Sequence, residues 1–496
     1  MRFQKCLSLK QLWFLIGSLG VVVTAGCQAH AMSSTPAASL AQSGPGDRNM
    51  ANIIYVLTDD LSENLLPFMP NVVQMQKDGV SFENNFVTDS LCCPSRSSIL
   101  TGKLPHNTGV FTNTKPDGGF HVYKNRGNSK ETFAVALNEA GVQTAMMGKY
   151  MNLYQPKLHD PEPGWSHWVV GGDSYRQYNY GLNVDSKVIG YGSKPKDYLM
   201  DVLSDYADAF IRKNVDRPFL IEIAPFTPHG PYIPAPRHEN LFQSLAMPKN
   251  SNYNSHPSDA ASWLARVPPL SEQEVADAEE IFRKRVRSVQ AIDEMIGRLK
   301  NTLRELKLDR KTYIVFHSDN GFHLGEHGMK VGKQTAFDED IKVPLVITGP
   351  NVSKGVSSHE IVQNIDLCST FAEIAGTKCP SPDGVSLLPL LTQATQSIGR
   401  DMALIEHRNA GYNPNDPDRD SKTNPPSYKA LRSKEFLYVS YATGEREYYD
   451  MRKDPGQNHN VYKDLAESLK AKLEQKALKA EQCVGSEQCQ EALRWE

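Results

Sequence analysis

The nonapeptide Asn52-Ile53-Ile54-Tyr55-Val56-Leu57-Thr58-Asp59-Asp60 carries the strongest fold signal in the sequence. Its uninterrupted apolar run is typical of a strand that is buried on both faces, as strands of parallel sheets are. Asp59 and Asp60 follow where such a strand reaches its carboxyl end, and open α/β sheets bind their ligands at that edge. The segment therefore predicts a central strand that delivers two carboxylates to a site.

Strands and helices alternate along the chain after this segment. Apolar runs predict strands at 142–147, 219–224, 313–316 and 345–347. Helical patterns separate them, at about 70–78, 95–103, 131–140, 197–213 and 271–307. The last helix opens with a capping box formed by Ser271 and Glu274. This alternation predicts an α/β sandwich with a mostly parallel central sheet.

The pattern changes near residue 400. Short strands are predicted at 403–406, 428–432 and 436–441, followed by a charged helix at 462–479. We interpret this part as a smaller α+β subdomain with an antiparallel sheet, which divides the chain into a main domain at 51–400 and a C-terminal subdomain at 401–496. The Pro- and Asp-rich segment 413–426 is predicted to be a loop that faces the substrate.

The amino terminus reads as a targeting segment over residues 1–31. Arg2, Lys5 and Lys10 precede an apolar run at 12–23 and then small residues, which is the order found in secretory signals. The run is too short to span a bilayer comfortably. We therefore expect the protein to be exported.

Two endings of this signal are compatible with the sequence. Thr24-Ala25-Gly26-Cys27 resembles a bacterial lipoprotein box, while Ala29-His30-Ala31 fits ordinary signal cleavage. The first ending implies a lipid anchor at Cys27 and the second a soluble protein. Both agree with the bacterial periplasm or cell surface, and the Ser-, Ala-, Gly- and Pro-rich residues 32–50 then form a flexible linker.

The net charge of the chain limits the kinds of partner it can have. The 54 basic and 57 acidic residues leave a formal charge of -3, so the sequence shows no uniform electric field that would predict binding to nucleic acid, or to a membrane other than through a lipid anchor.

The cysteines that follow the targeting segment fall into local pairs. An oxidising compartment permits disulfides within the pairs Cys368/Cys379 and Cys483/Cys489, although the sequence leaves their state open. The adjacent residues Cys92 and Cys93 would need a strained ring to pair, so they require another explanation.

Oxygen-bearing side chains follow two of the predicted strands. Asp59 and Asp60 end the first strand, and Asp319 and Asn320 follow the strand at 313–316. Carboxylate and amide oxygens that converge from separate strands favour calcium (Ca²⁺) or magnesium (Mg²⁺) over zinc. Each pair by itself also fits a helix cap or a turn.

The segment Cys92-Cys93-Pro94-Ser95-Arg96, continued by Leu100-Thr101-Gly102, resembles the signature of the type I sulfatase family. The resemblance implies an alkaline-phosphatase-like fold. It also implies that a dedicated formylglycine-generating enzyme oxidises Cys92 to formylglycine (3-oxoalanine), with Cys93 at the variable position. A hydrated aldehyde suits sulfate esters, because one hydroxyl attacks sulfur and the other, on losing its proton, expels sulfate.

Similar elements recur along the rest of the main domain. They are Gly148-Lys149-Tyr150-Met151-Asn152, Pro228-His229-Gly230-Pro231, Asp319-Asn320-Gly321, Gly332-Lys333 and the Lys342-Val343-Pro344 segment. The double cysteine and the Gly-Lys-Tyr element are most similar to N-acetylglucosamine-6-sulfatases and extracellular heparan sulfate sulfatases. Many sulfatases carry a histidine at the position of Met151. In this chain Met151 cannot take over the role of that histidine.

The resemblance implies a role for each residue of the site. It assigns the metal to Asp59, Asp60, Asp319, Asn320 and the modified Cys92, and the chemistry to Cys92, Arg96, Lys149, His229 and Lys333. Substrate contacts are assigned to Lys149, His229, Lys333, His323 and Asn152. Lysine and histidine side chains are also common without such tasks.

The predicted function is therefore hydrolysis of a sulfuric ester of a sulfated sugar or polysaccharide, with 6-sulfated N-acetylglucosamine in a glycosaminoglycan as the suggested substrate. Two alternatives stay open from the sequence. The first is a phosphoester or phosphonate ester hydrolase, since these enzymes use the same fold and the same kind of metal site. The second is a non-catalytic surface lipoprotein that binds sulfated glycans.

Overall fold

The computed structural model describes residues 50–393, 396–409, Asp418 and 424–495. The predicted signal segment, Cys27 and all but the last residue of the linker lie outside these residues. The described residues form one compact unit. No helix in the described ranges is both long and apolar enough to cross a membrane. The domain boundary at 400/401 stays a prediction.

Ten strands form the central sheet. In chain order they are β1 Asn52–Thr58, β2 Val80–Phe86, β3 Gln143–Lys149, β4 His167–Gly171, β5 Gly181–Val184, β6 Lys187–Gly190, β7 Phe219–Ala224, β8 Thr312–Ser318, β9 Leu345–Thr348 and β10 Val356–Gln363. Their spatial order is β10-β2-β9-β8-β1-β7-β3-β4-β5-β6. The centre of the sheet, β8-β1-β7-β3-β4, is parallel throughout, and antiparallel pairs occur only outside it. The predicted α/β fold class is confirmed.

Thirteen α-helices accompany the strands in the described part of the chain. They are α1 Pro70–Asp78, α2 Cys92–Thr101, α3 Pro105–Thr108, α4 Gly119–Asn125, α5 Phe133–Glu139, α6 Leu199–Lys213, α7 Ser262–Ala265, α8 Glu272–Glu305, α9 Asp338–Ile341, α10 Asp366–Ile374, α11 Leu388–Thr392, α12 Glu467–Ala480 and α13 Ser486–Ala492. The capping box of Ser271 and Glu274 starts α8 as predicted.

Two hydrophobic cores cover the faces of the central sheet. Ile54 and Val56 of β1 face the core formed with α1, α6 and α8. Ile53, Tyr55 and Leu57 face the core formed with α2, α5 and α10. Because alternate residues of a strand point to opposite faces, an apolar run without alternation is what a strand between two helical layers requires.

A second, smaller sheet lies in the carboxyl-terminal part of the chain. Its strands are β11 Met402–His407, β12 Tyr428–Ser433, β13 Phe436–Tyr441 and β14 Arg446–Asp450, and all three pairs are antiparallel. Helices α12 and α13 cover one face. Disulfides join Cys368 to Cys379 and Cys483 to Cys489.

Several elements differ from the sequence-based expectation. Six strands were not predicted, namely β2, β4, β5, β6, β10 and β14. They are short, exposed or interrupted by polar residues, so neither a continuous apolar run nor a clean alternation marks them. The helix predicted at 95–103 begins at Cys92, and the helix predicted at 462–479 is divided into a 3-10 turn, Tyr462–Asp464, and α12.

Glu222 places a carboxyl group inside the sheet. It lies on β7 opposite Tyr55, is 2% exposed, and its Oε2 has no hydrogen-bond partner in the described chain. Burial raises the pKa of Glu222 from 4.5 to about 8, although the nearby Arg96 guanidinium opposes the shift. The folded protein therefore holds this proton at pH values where the unfolded chain has lost it.

We expect Glu222 to make stability fall as pH rises from 5 to 8. In this window the native state binds more protons than the unfolded state, so ionisation favours unfolding. Relative to the wild type, Glu222→Gln should gain on the order of 3 kcal/mol of unfolding free energy across the window. Urea denaturation at several pH values measures the unfolding free energy of both proteins. If this free energy varied with pH in the same way in the two proteins, the raised pKa of Glu222 would be contradicted.

Candidate active site

The parallel pairing of β1 with β8 brings the predicted acidic groups together. Thr58 lies in register with Ser318, so the residues that follow each strand become neighbours. The main-chain N–H of Asp60 donates to Asp319 Oδ1 over 3.1 Å, and Asn320 Nδ2 donates to Asp60 Oδ1 over 2.7 Å. All four predicted oxygen ligands, Asp59, Asp60, Asp319 and Asn320, are buried.

The first turn of α2 presents Cys92 to these carboxylates. Its Sγ lies 3.5 Å from Asp59 Oδ1 and 2.9 Å from Lys333 Nζ. The next side chain points away, since Cys93 Sγ lies 3.9 Å from the Met151 sulfur and belongs to the hydrophobic core. Burial raises the pKa of the Cys92 thiol well above its usual value despite the nearby lysines. The two cysteines therefore occupy chemically different places.

Three buried cations stand between the carboxylates. Arg96 Nε donates to Asp319 Oδ2 over 2.8 Å and its Nη1 to the Lys149 carbonyl over 2.9 Å. Lys149 Nζ lies 2.7 Å from Asp59, and Lys333 Nζ lies 2.6 Å from Asp60. Burial raises the pKa of a carboxyl group, yet Arg96 holds the pKa of Asp319 below its ordinary value.

His229 stands at the mouth of this cluster, in the loop after β7. Its Nε2 lies 3.6 Å from Asp60 Oδ2 and 3.7 Å from Asp418 Oδ1, and its ring packs against Tyr175 with centroids 4.5 Å apart. Burial lowers the pKa of His229, but Asp60 and the other carboxylates raise it above its ordinary value. A charged imidazole at this place can release a proton toward the cavity.

A cavity of about 400 Å³ opens beside Lys333 and His229. Its wall includes Asp60, Tyr232, Phe322, His323, Gln334 and Asp418. Lys149 and Asn152 do not line it in the described part of the chain. Asn152 is instead buried beside α4, where its carbonyl accepts a hydrogen bond from Phe120. Substrate contact by Asn152 stays a prediction.

Two groups of the site were not found from the sequence. Arg285 of α8 is fully buried, and its Nη2 donates to the Asp60 carbonyl over 2.5 Å and to Ser62 Oγ over 3.1 Å. Asp418 lies within the predicted substrate-facing loop and comes within 3.3 Å of Lys333 Nζ. Arg285 lies in a helix with many charged residues, so no local signal marks it.

The donor set fits a hard divalent cation. The ligand atoms of Asp59, Cys92 and Asp319, and separately those of Asp60, Cys92 and His229, lie within 4.8 Å of one another. The buried Asn320 Oδ1 has no hydrogen-bond partner in the described chain. Oxygen donors from carboxylates and an amide are the ligands that Ca²⁺ and Mg²⁺ prefer.

Comparison with known proteins points to one family. The family model described as Sulfatase matches residues 51–377, and the model described as N-sulphoglucosamine sulphohydrolase, C-terminal, matches residues 325–482. The N-acetylglucosamine-6-sulfatase of Homo sapiens is 31% identical over 471 residues, covering 88% of this chain and 85% of that protein. A putative extracellular sulfatase Sulf-1 homolog of Caenorhabditis elegans is 36% identical over 350 residues, covering 68% of this chain and 49% of that protein.

A solved structure supports the architecture. A protein in complex with its substrate D-glucosamine-2-N,6-O-disulfate superposes with a TM-score of 0.74 at 24% identity, covering 90% of this chain and 99% of the other. At this identity the likeness shows the fold alone. The predicted alkaline-phosphatase-like architecture is confirmed.

We expect Arg96→Lys to destabilise the protein by about 2–4 kcal/mol, because lysine cannot bond Asp319 and the Lys149 carbonyl together and leaves buried charge unpaired. The matched control is Arg212→Lys, in an exposed pair with Glu305, where little change is expected. Urea denaturation measures both variants. Equal losses of stability in the two variants would show that the buried hydrogen bonds of Arg96 do not stabilise the protein more than an exposed ion pair does.

Proposed function

The chain belongs to the sulfatase family, and on that premise we propose that it removes sulfate from a 6-sulfated N-acetylglucosamine within a glycosaminoglycan. The observation that carries the proposal is the position of Cys92 Sγ, 3.5 Å from Asp59 and 2.9 Å from Lys333 in a fully buried cluster of carboxylates and cations. The substrate class is supported by the name of the human relative, an N-acetylglucosamine-6-sulfatase.

We propose that a formylglycine-generating enzyme oxidises Cys92 to formylglycine. The raised pKa of the buried thiol supports this role, because a protonated thiol is a poor nucleophile. The hydrate of the aldehyde supplies one hydroxyl that attacks sulfur and a second whose deprotonation releases sulfate. Arg96, bonded to Asp319 and to the Lys149 carbonyl, is rigid enough to hold that hydrate in one orientation.

Asp59, Asp60, Asp319 and Asn320 are proposed to hold Ca²⁺, with Mg²⁺ as the alternative, together with the modified residue 92. When bound, such an ion would supply positive charge to a sulfate oxygen. Asp59 and Asp60 would then share their charge with the ion, so the ammonium groups of Lys149 and Lys333 would be available to the other sulfate oxygens. The tetrahedral anion then lies among point charges that suit it.

Proton transfer to the departing sugar oxygen falls to His229 or Lys333. Both line the cavity in which the sugar would lie. Asp60 and the other nearby carboxylates raise the pKa of His229, which favours the protonated ring that a general acid requires. We also propose export to the bacterial periplasm or cell surface, with a lipid anchor if processing occurs at Cys27.

We expect Cys92→Ala to lower kcat/KM for an aryl sulfate by at least about 10³-fold, because the variant cannot form the aldehyde. The matched control is Cys93→Ala, which removes a core thiol and should change kcat/KM by less than about fivefold. Mass spectrometry of the tryptic peptide that contains residue 92 checks the modification. Comparable losses of kcat/KM in both variants would show that the modified cysteine is wrongly assigned. Faster turnover of an aryl phosphate than of an aryl sulfate by the wild type would favour a phosphoester hydrolase.

Asp319→Asn should weaken Ca²⁺ binding about tenfold or more, because a charged ligand becomes a neutral amide. The control is Asp338→Asn, whose carboxylate pairs with Arg432 outside the site over 2.8 Å. Calorimetric titration of chelator-treated protein measures both affinities. Full activity of the wild type after exhaustive chelation would contradict the metal site.

A further inference from the structure

His323, a predicted substrate contact, lies on the cavity wall and takes no part in the proposed cleavage of the sulfate ester. It is 3% exposed and lines the cavity beside Lys333 and His229. Its Nδ1 lies 2.9 and 3.0 Å from the two oxygens of Asp340. Because a carboxylate only accepts, Nδ1 carries a proton and donates to Asp340.

Asp340 is itself firmly held. It is fully buried and accepts hydrogen bonds from the Thr335 main-chain N–H over 3.0 Å and from Thr335 Oγ1 over 2.6 Å. Burial lowers the pKa of His323, but Asp340, with smaller contributions from Glu326 and Glu339, raises it above its ordinary value. The contact with Asp340 therefore favours the doubly protonated ring, in which Nε2 is a second N–H donor.

The main chain around Gly332 leaves Nε2 uncovered. His323 and Gly332 exchange two main-chain hydrogen bonds of 2.9 and 3.1 Å, which fix the ring beside the glycine. A Cβ atom at position 332 would lie 3.3 Å from Nε2, closer than most Cβ contacts. Gly332 does not have a positive φ, so the backbone does not demand glycine here. What the glycine supplies is open space in front of the donor.

The charged groups around Lys333 in the cavity are already paired with one another. Asp60 lies 2.6 Å and Asp418 3.3 Å from Lys333 Nζ, and Asn113 Nδ2 donates to Asp418 over 2.9 Å. In contrast, no acceptor for His323 Nε2 is found within the described ranges 50–393, 396–409, 418 and 424–495. A donor that faces the cavity without a protein acceptor is free to bind an acceptor on a ligand.

We propose that His323 binds a second anionic group of the substrate, a sulfate or a carboxylate other than the ester that is cleaved. This inference rests on the proposed sulfatase function and specifies its substrate as a sugar with at least two anionic groups. A cavity of about 400 Å³ is in the range that accommodates a small-molecule ligand. Lys333 would bind the reacting sulfate, while His323 would read the second anion.

Three substrates separate the possible sources of that anion. N-acetylglucosamine 6-sulfate carries only the reacting ester, glucosamine N,6-disulfate adds a sulfate on the same sugar, and a uronate-linked disaccharide of N-acetylglucosamine 6-sulfate adds a carboxylate on the next. We expect kcat/KM of the Ca²⁺-loaded, matured wild type to favour at least one doubly anionic substrate by tenfold or more, the effect of one hydrogen bond between charged groups.

Two variants test whether His323 causes this preference. His323→Gln removes the charge, and Gly332→Ala keeps the charge but covers Nε2, so both should reduce the preference to about threefold or less. His359→Gln, at an exposed position of β10, is the control and should retain the wild-type preference. Urea midpoints check folding, and Gly332→Ala decides the question if His323→Gln does not fold.

The outcomes separate this inference from the function on which it rests. A preference for the disulfate alone, the uronate disaccharide alone, or both, each lost in the two variants, supports His323 and identifies its anion. Equal kcat/KM for all three substrates in the wild type, or a preference that both variants retain, overturns it. If no sulfate ester is hydrolysed at all, including an aryl sulfate, the proposed sulfatase function fails instead.

Discussion

Pairing of buried charge is the constraint on which the rest of the structure depends. Three carboxylates, from Asp59, Asp60 and Asp319, alternate with Arg96, Lys149 and Lys333 in a region where each of the six side chains is buried. Isolated charges of this kind would cost several kcal/mol each, so every group must be held within reach of a partner. The same arrangement offers positive charge that could bind a tetrahedral anion and oxygen atoms that could bind a divalent cation.

The central sheet makes this precision possible. Strand β1 is locked between β7 and β8 and between two hydrophobic cores, so the residues that follow it have little freedom. Helix α2 packs on one face of the sheet through Ile99 and Leu100. This packing fixes the position of Cys92, in the first turn of the helix, relative to the carboxyl ends of the strands. The core is thus the support of the chemistry, since a side chain on a packed element keeps its geometry.

The second sheet contributes to the site through the segment before α2. His407 Nδ1 lies 3.3 Å from Asp89 Oδ1, and the Tyr428 hydroxyl donates to the Gln334 carbonyl over 3.1 Å. Burial raises the pKa of Asp89 to about 6, with His407 opposing the shift. The antiparallel sheet therefore braces both the cysteine turn and the Lys333 segment, and the loop between β11 and β12 carries Asp418.

The sequence by itself determined the features that local patterns encode. The apolar run of β1 identified the central strand, and the Cys-x-Pro-Ser-Arg element pointed to Cys92 as the candidate nucleophile. Acidic residues at strand ends pointed to the four candidate oxygen ligands, because strand direction alone sends them to one edge. Only the tertiary structure decided which distant groups complete the site. Arg285 meets Asp60 across 225 positions of chain and Asp418 meets Lys333 from another sheet, while the open face of His323 depends on a bridge to Gly332. Such contacts leave no local signature, because their energy comes from burial and charge pairing between segments that are neighbours only after folding.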